Sequence, residues 1–161
     1  MPKPVGSLTL EGNVFPFSDA SCRIRDGLVF IKAHGSDCGL QLPCMPFGES
    51  ASRDNLPGRE WRPSTADLNA SDTLNEGGFV VLRDEEFVPY SALVCCVGYR
   101  ADSNTLEFDL SFSGLFNGDA EFRDIHGHIE CVFDSPPCPE CGHPLRSAAA
   151  QQCFECGALW R

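Results

Sequence analysis

Along most of this chain apolar and polar residues alternate with a period of two, and no stretch carries a convincing helical period. Ser7-Leu8-Thr9-Leu10-Glu11 reads as a short strand, with Gly12-Asn13 as the turn after it. Ser21 to Arg25 and Leu28 to Lys32 are strand-like runs separated by Asp26-Gly27. That dipeptide supplies the positive φ angles of a two-residue hairpin turn. Gly39 to Met45 alternates again, with Leu40 and Leu42 on one face. Strands resume at Phe79 to Leu82 and at Ser91 to Tyr99, the second apolar on both faces and therefore expected to be central. Thr105 to Phe112 shows the pattern most clearly: Leu106, Phe108, Leu110 and Phe112 face one way, Glu107, Asp109 and Ser111 the other. After an Asn117-Gly118 turn, Ala120 to Phe133 directs Ile125, Ile129, Cys131 and Phe133 inward, and His126, His128 and Glu130 outward.

The fold class that follows is mainly β, a sandwich or barrel of about eight to ten strands. One internal echo bears on its symmetry. Phe15-Pro16-Phe17-Ser18 recurs as Val88-Pro89-Tyr90-Ser91, and at the same offset Cys22 meets Cys95 and Ile24 meets Val97. A duplicated β-unit and chance similarity both account for it. Between the copies, residues 46–78 are polar and rich in Ser, Asn, Asp, Pro and Gly. So long a connection is either a functional loop or a mobile insert, and Trp61 is the residue that would dock it. The expected organisation is an all-β domain over residues 1–135 and a small unit over 136–161.

Composition sharpens this picture in two ways. First, 42% hydrophobic residues and twelve Phe in 161 positions allow a sizeable core. Second, the net charge of −11 is concentrated before the tail. Residues 101–135 hold eight acidic side chains against Arg123 alone, while 136–161 is neutral, with Glu140 and Glu155 against Arg146 and Arg161. No basic patch is available to face phosphate, which counts against nucleic acid as a partner. No apolar run is long enough for a membrane helix, and MPKPVGSLTLEG lacks the pattern of a signal peptide, so a cytoplasmic location is expected.

Ten cysteines stand out in such a chain. Six of them, Cys22, Cys38, Cys44, Cys95, Cys96 and Cys131, precede the tail, and several sit in apolar runs where a thiol acts as a small hydrophobe. The other four form two Cys-x-x-Cys pairs, Cys138/Cys141 and Cys153/Cys156, eleven residues apart. Two pairs on tight turns supply the four thiolates that a tetrahedral zinc ion prefers. Gly142 and Gly157 follow the pairs where the chain must turn back. A reducing compartment suits metal-bound and buried thiols alike; a disulfide framework is the competing reading of the count.

On these residues the tail, 138–157, resembles a zinc ribbon of the rubredoxin-like kind. Cys-Pro-x-Cys-Gly is intact in the first copy, and Phe154 replaces Pro in the second. The resemblance covers about an eighth of the chain. It implies a four-cysteine metal site with Cys138, Cys141, Cys153 and Cys156 as ligands and His143 left out. Zinc ribbons serve nucleic-acid binding, protein docking or stabilisation, and rubredoxins carry iron for electron transfer on similar knuckles. Zinc is the expected metal, because this tail lacks the aromatic-rich surroundings of such iron. Four thiolates leave no position for water or substrate, so a structural role is expected.

The remaining constellations are weaker. His126, His128 and Glu130 share a strand face and would serve a metal-dependent enzyme, but a solvent-facing polar edge is the better reading of them. His34-Gly35-Ser36-Asp37-Cys38 contains a nucleophile and a base in what reads as a loop. No catalytic residue is assigned. The expected function is a zinc-binding protein-interaction or scaffold module. A nucleic-acid-binding ribbon and a His126/His128 metalloenzyme are the alternatives.

Overall fold

The computed structural model describes residues 3–25, 28–46, 55–63, 79–134, 138–143, 145 and 150–159. Among these residues there is no helix, and ten strands are joined in a single sheet. They are β1 (Gly6–Leu10), β2 (Asn13–Phe17), β3 (Asp19–Arg25), β4 (Leu28–His34) and β5 (Cys38–Pro46). The rest are β6 (Glu60–Trp61), β7 (Phe79–Leu82), β8 (Glu85–Arg100), β9 (Thr105–Phe116) and β10 (Arg123–Phe133).

Seven of them close into a barrel, in the order β10, β3, β4, β5, β7, β8, β9 and back to β10. Every neighbouring pair is antiparallel except β3 and β10, which run parallel where Val132 faces Ser21 and Phe133 faces Cys22. The β1–β2 hairpin extends the sheet from β10, and β6 pairs with β8 beyond the end of the short β7. The mainly-β expectation therefore holds, in its barrel form. The inward faces are those that alternation implies. Leu106, Phe108, Leu110 and Phe112 of β9 and Ile125, Ile129, Cys131 and Phe133 of β10 are all buried. Apolar residues inside and charged residues outside is the reverse of the arrangement in a lipid-embedded barrel. Among the described residues no helix is long and apolar enough to cross a membrane.

Several details differ from the sequence expectations, which include neither β2 nor β6 and end β9 at Phe112. The first turn is Glu11-Gly12, with φ of 50° and 81°, because Leu10 pairs with Asn13. β8 starts at Glu85 rather than Ser91, and its register shifts between Pro89 and Ser91. That bulge sets two consecutive residues, Tyr90 and Ser91, outside and reverses the parity of the strand before it. It also separates the two copies of the echo. Phe15 and Phe17 are buried, whereas Val88 and Tyr90 are 39% and 54% exposed. The matched residues thus do not occupy matched places. Finally, the C-terminal strand starts at Arg123 rather than Ala120.

The bulge rests on Gly114. A Cβ there would lie 2.0 Å from the carbonyl oxygen of Val88 and 2.9 Å from Cα of Pro89. The obstacle is backbone, which cannot rotate aside. Gly114→Ala is expected to destabilise the chain by about 3 kcal/mol, the upper end of ordinary overpacking. A denaturant midpoint that stays at the wild-type value would refute this.

The polar segment is better anchored than its composition suggests. Leu56 is fully buried, and Trp61 packs in the barrel core with its ring 6.4 Å from that of Phe108. Gly58 N–H donates to the Cys96 carbonyl and Cys96 N–H to the Arg59 carbonyl, at 2.8 and 2.9 Å. The rest of the predicted 46–78 loop, apart from 55–63 and Pro46 itself, lies outside the described residues.

Candidate metal centre

Each Cys-x-x-Cys pair folds into the same knuckle. In the first, Cys138 N–H donates to the His143 carbonyl and Gly142 N–H to the Cys138 carbonyl, at 2.8 and 2.9 Å. In the second, Cys153 N–H donates to Ala158 and Gly157 N–H to Cys153, at 2.9 and 2.8 Å. Gly142 and Gly157 both sit at φ 76°, the left-handed conformation that this reversal requires. A bridge between Gln152 and Leu159 closes the second knuckle.

The two knuckles face each other. Cys138 Sγ lies 3.8 Å from Cys156 Sγ, and Cys141 Sγ lies 3.6 Å from Cys153 Sγ. All four sulfurs are within 4.8 Å of one another. A tetrahedral ion with metal–sulfur bonds of about 2.3 Å needs sulfur–sulfur edges of about 3.8 Å. A disulfide needs about 2.05 Å. The cluster has the dimensions of the first and not of the second, and the nine cysteines whose side chains are described are all free. It could hold a metal ion.

Backbone N–H groups stabilise negative sulfur here. Glu140 N–H approaches Cys138 Sγ at 3.4 Å. Those of Cys156 and Glu155 point at Cys153 and lower its thiol to about 7 against desolvation. At Cys141 the N–H of His143 pulls downward, but desolvation and the neighbouring thiols prevail and hold it up at about 12. Four crowded sulfurs cannot all be anions without a cation among them, so a bound metal would displace their protons.

Burial divides the four sulfurs into two pairs. Cys138 and Cys153 are 2% exposed and form a small core with Leu145, packed by Ala150, while Cys141 and Cys156 lie at the surface. His143 is exposed and outside the cluster, as the ribbon resemblance implies.

The other candidates are not brought together. His126, His128 and Glu130 do share the outer face of β10, but each is tied to its own neighbour. His126 Nδ1 is 3.3 Å from Ser111 Oγ, and His128 Nδ1 is 2.7 Å from Asp109 Oδ1. Glu130 pairs with Arg100 at 2.9 Å, and Arg100 also reaches Glu107 at 2.9 Å. Among the described residues the four-cysteine cluster is the one group of three or more potential ligands that converges. Cys38 is buried, its thiol donating toward the carbonyls of Pro16 and Phe15 at 3.3 and 3.6 Å. Burial pushes it up to about 11, so it is no nucleophile. Burial does the same to Cys96, and raises Cys22 and Cys131 further. These thiols behave as the small hydrophobes that their apolar runs suggest.

One surface feature lies outside the sequence expectations. Tyr90 and Phe122 stack edge to face with centroids 5.4 Å apart, both outside the barrel. Parity is the signal that could have found Phe122. It falls in step with the outward His126, His128 and Glu130, where an aromatic side chain is out of place.

No protein-family model, curated protein or solved structure matches this chain.

Proposed function

We propose that the chain is a zinc-stapled β-barrel protein that works as a protein-interaction or scaffold module, with the ribbon at 136–161 as a separate unit. The observation that carries the metal reading is the closure of four sulfurs from two matching knuckles on one point. All four positions are thiolate, which leaves none for water or substrate and favours a structural ion. Two sulfurs at the surface favour redox-inert zinc over iron, which would be open to oxidation there. The tail's own core, Cys138, Leu145 and Cys153, is too small to hold it folded, and an ion would make up the difference.

An interaction role is supported by apolar side chains left outside both units. Phe154 and Leu159 of the ribbon are 62% and 76% exposed, and Phe122 of the barrel 61%. The net charge of −11 argues against phosphate as the ligand. A reducing compartment such as the cytoplasm would keep both groups of thiols reduced. Elemental analysis of the full chain is expected to return one zinc and no iron. A red, iron-bearing protein would replace zinc by iron, and a second metal at equal content would revive the His126/His128 enzyme.

A further inference from the structure

Tyr90 lies on β8 and Phe122 immediately precedes β10, two strands that are not neighbours. β9 lies between β8 and β10, and the rings meet across it where it carries the small residues Ser113 and Gly114. The β8 bulge, seated on Gly114, turns Tyr90 outward beside Val88. The result is an apolar surface of Val88, Tyr90 and Phe122, which are 39%, 54% and 61% exposed. The Tyr90 hydroxyl has no hydrogen-bond partner among the described residues.

The surroundings are acidic. Glu121 precedes Phe122, and Asp124 lies on the outer face of β10 opposite Ser113. Neither carboxylate takes part in an ion pair among the described residues. The base next to Phe122 in the chain, Arg123, is already held by Asp119 at 3.1 Å and by Glu11 at 3.6 Å. Its guanidinium lies over Phe116, not over the exposed rings. Two aromatic rings inclined at 74°, with Glu121 and Asp124 close to Phe122 along the chain, offer ring surface and negative charge in one region. That chemistry suits a guanidinium or ammonium group.

Resting on the interaction-module reading, we propose that Tyr90 and Phe122 form the docking surface for a basic segment of a partner protein, taking an Arg or Lys side chain against their rings. Charge complementarity selects this occupant. Two copies of a chain of net charge −11 repel each other, and a nucleic acid brings more negative charge to the carboxylates. Glu121 and Asp124 steer the basic segment, and the rings hold the side chain it brings.

The test is titration of the full chain with short oligoarginine and oligolysine peptides at two salt concentrations, with the mass of the free protein measured in parallel. Tyr90→Ala and Phe122→Ala are each expected to weaken binding about 5- to 30-fold, and Phe122→Tyr to keep it. Glu121→Gln with Asp124→Asn should flatten the salt dependence. Phe154→Ala on the ribbon should change nothing. Three outcomes overturn the proposal: no peptide binding, binding unaffected by either ring variant, or concentration-dependent dimers that Phe122→Ala abolishes. Binding lost in Phe154→Ala alone would sink this surface and leave the interaction-module reading standing.

Discussion

Cys138→Ser is expected to weaken metal binding at the proposed four-cysteine site by roughly two to three orders of magnitude while leaving the barrel folded. Cys138 is one of the two buried sulfurs, 3.8 Å from Cys156 Sγ and under the N–H of Glu140. A serine hydroxyl is shorter, harder and not ionised near neutral pH, so it replaces the thiolate in shape only. Structural zinc in small thiolate sites is worth about 10–16 kcal/mol at neutral pH. An even quarter share is about 2.5–4 kcal/mol, or roughly two to three orders of magnitude in affinity. The tail's small core cannot absorb that loss, so its amides should exchange at the rate of an unfolded chain. The barrel core, built from Leu8, Phe17, Phe108 and their neighbours, is a distinct cluster and should melt near the wild-type temperature. Metal content after dialysis, the exchange rates of Gly142 and Gly157, and a melting curve read these separately. A variant that binds metal as tightly as the wild type would defeat the four-cysteine assignment.

How far the sequence discloses this molecule depends on how local each determinant is. β9 is readable because its Leu-x-Phe-x-Leu-x-Phe run obeys one period from Leu106 to Phe112. The Arg25–Leu28 pairing is readable because Asp26-Gly27 suits a two-residue turn. The cysteine cluster is readable because all four ligands lie within two short turns. The β7–β8 hairpin is harder. Its turn residues, Arg83 and Asp84, take φ of 51° and 63° without a glycine to announce it. Pro89 then marks a break where the chain in fact makes a bulge and continues. Barrel closure is harder still, since it joins β3 to β10 through two parallel pairs at opposite ends of the domain. No local pattern encodes that contact. It follows from seven strands twisting until the first and last meet. β6 is two residues long, too short to alternate at all.

That short strand leads to the second large effect, because side chains rather than ladder bonds must hold it. Trp61→Ala is expected to cost about 3–5 kcal/mol, as for other buried aromatic truncations. For a chain of this size that lowers the melting temperature by about 6–20 °C. The effect originates at the seam of the barrel. β7 covers only Phe87 and the two residues before it on β8, and β6 takes up the same edge at Val94 and Cys95. Trp61 enters the core here, 7% exposed, with its ring against that of Phe108, itself fully buried. Leu56, also fully buried, lies just before the hydrogen bonds that Gly58 and Arg59 make with Cys96. Removing the indole leaves a hole against Phe108 and takes the largest apolar anchor from the strap, with Leu56 and Pro63 still buried. The Gly58 amide should then exchange much faster, since the bond to the Cys96 carbonyl would open with the strap. Trp61→Phe keeps a ring in the core and should recover more than half of the lost stability. If Trp61→Ala instead melts within a degree or two of the wild type, the indole is an incidental anchor, and the barrel closes without it.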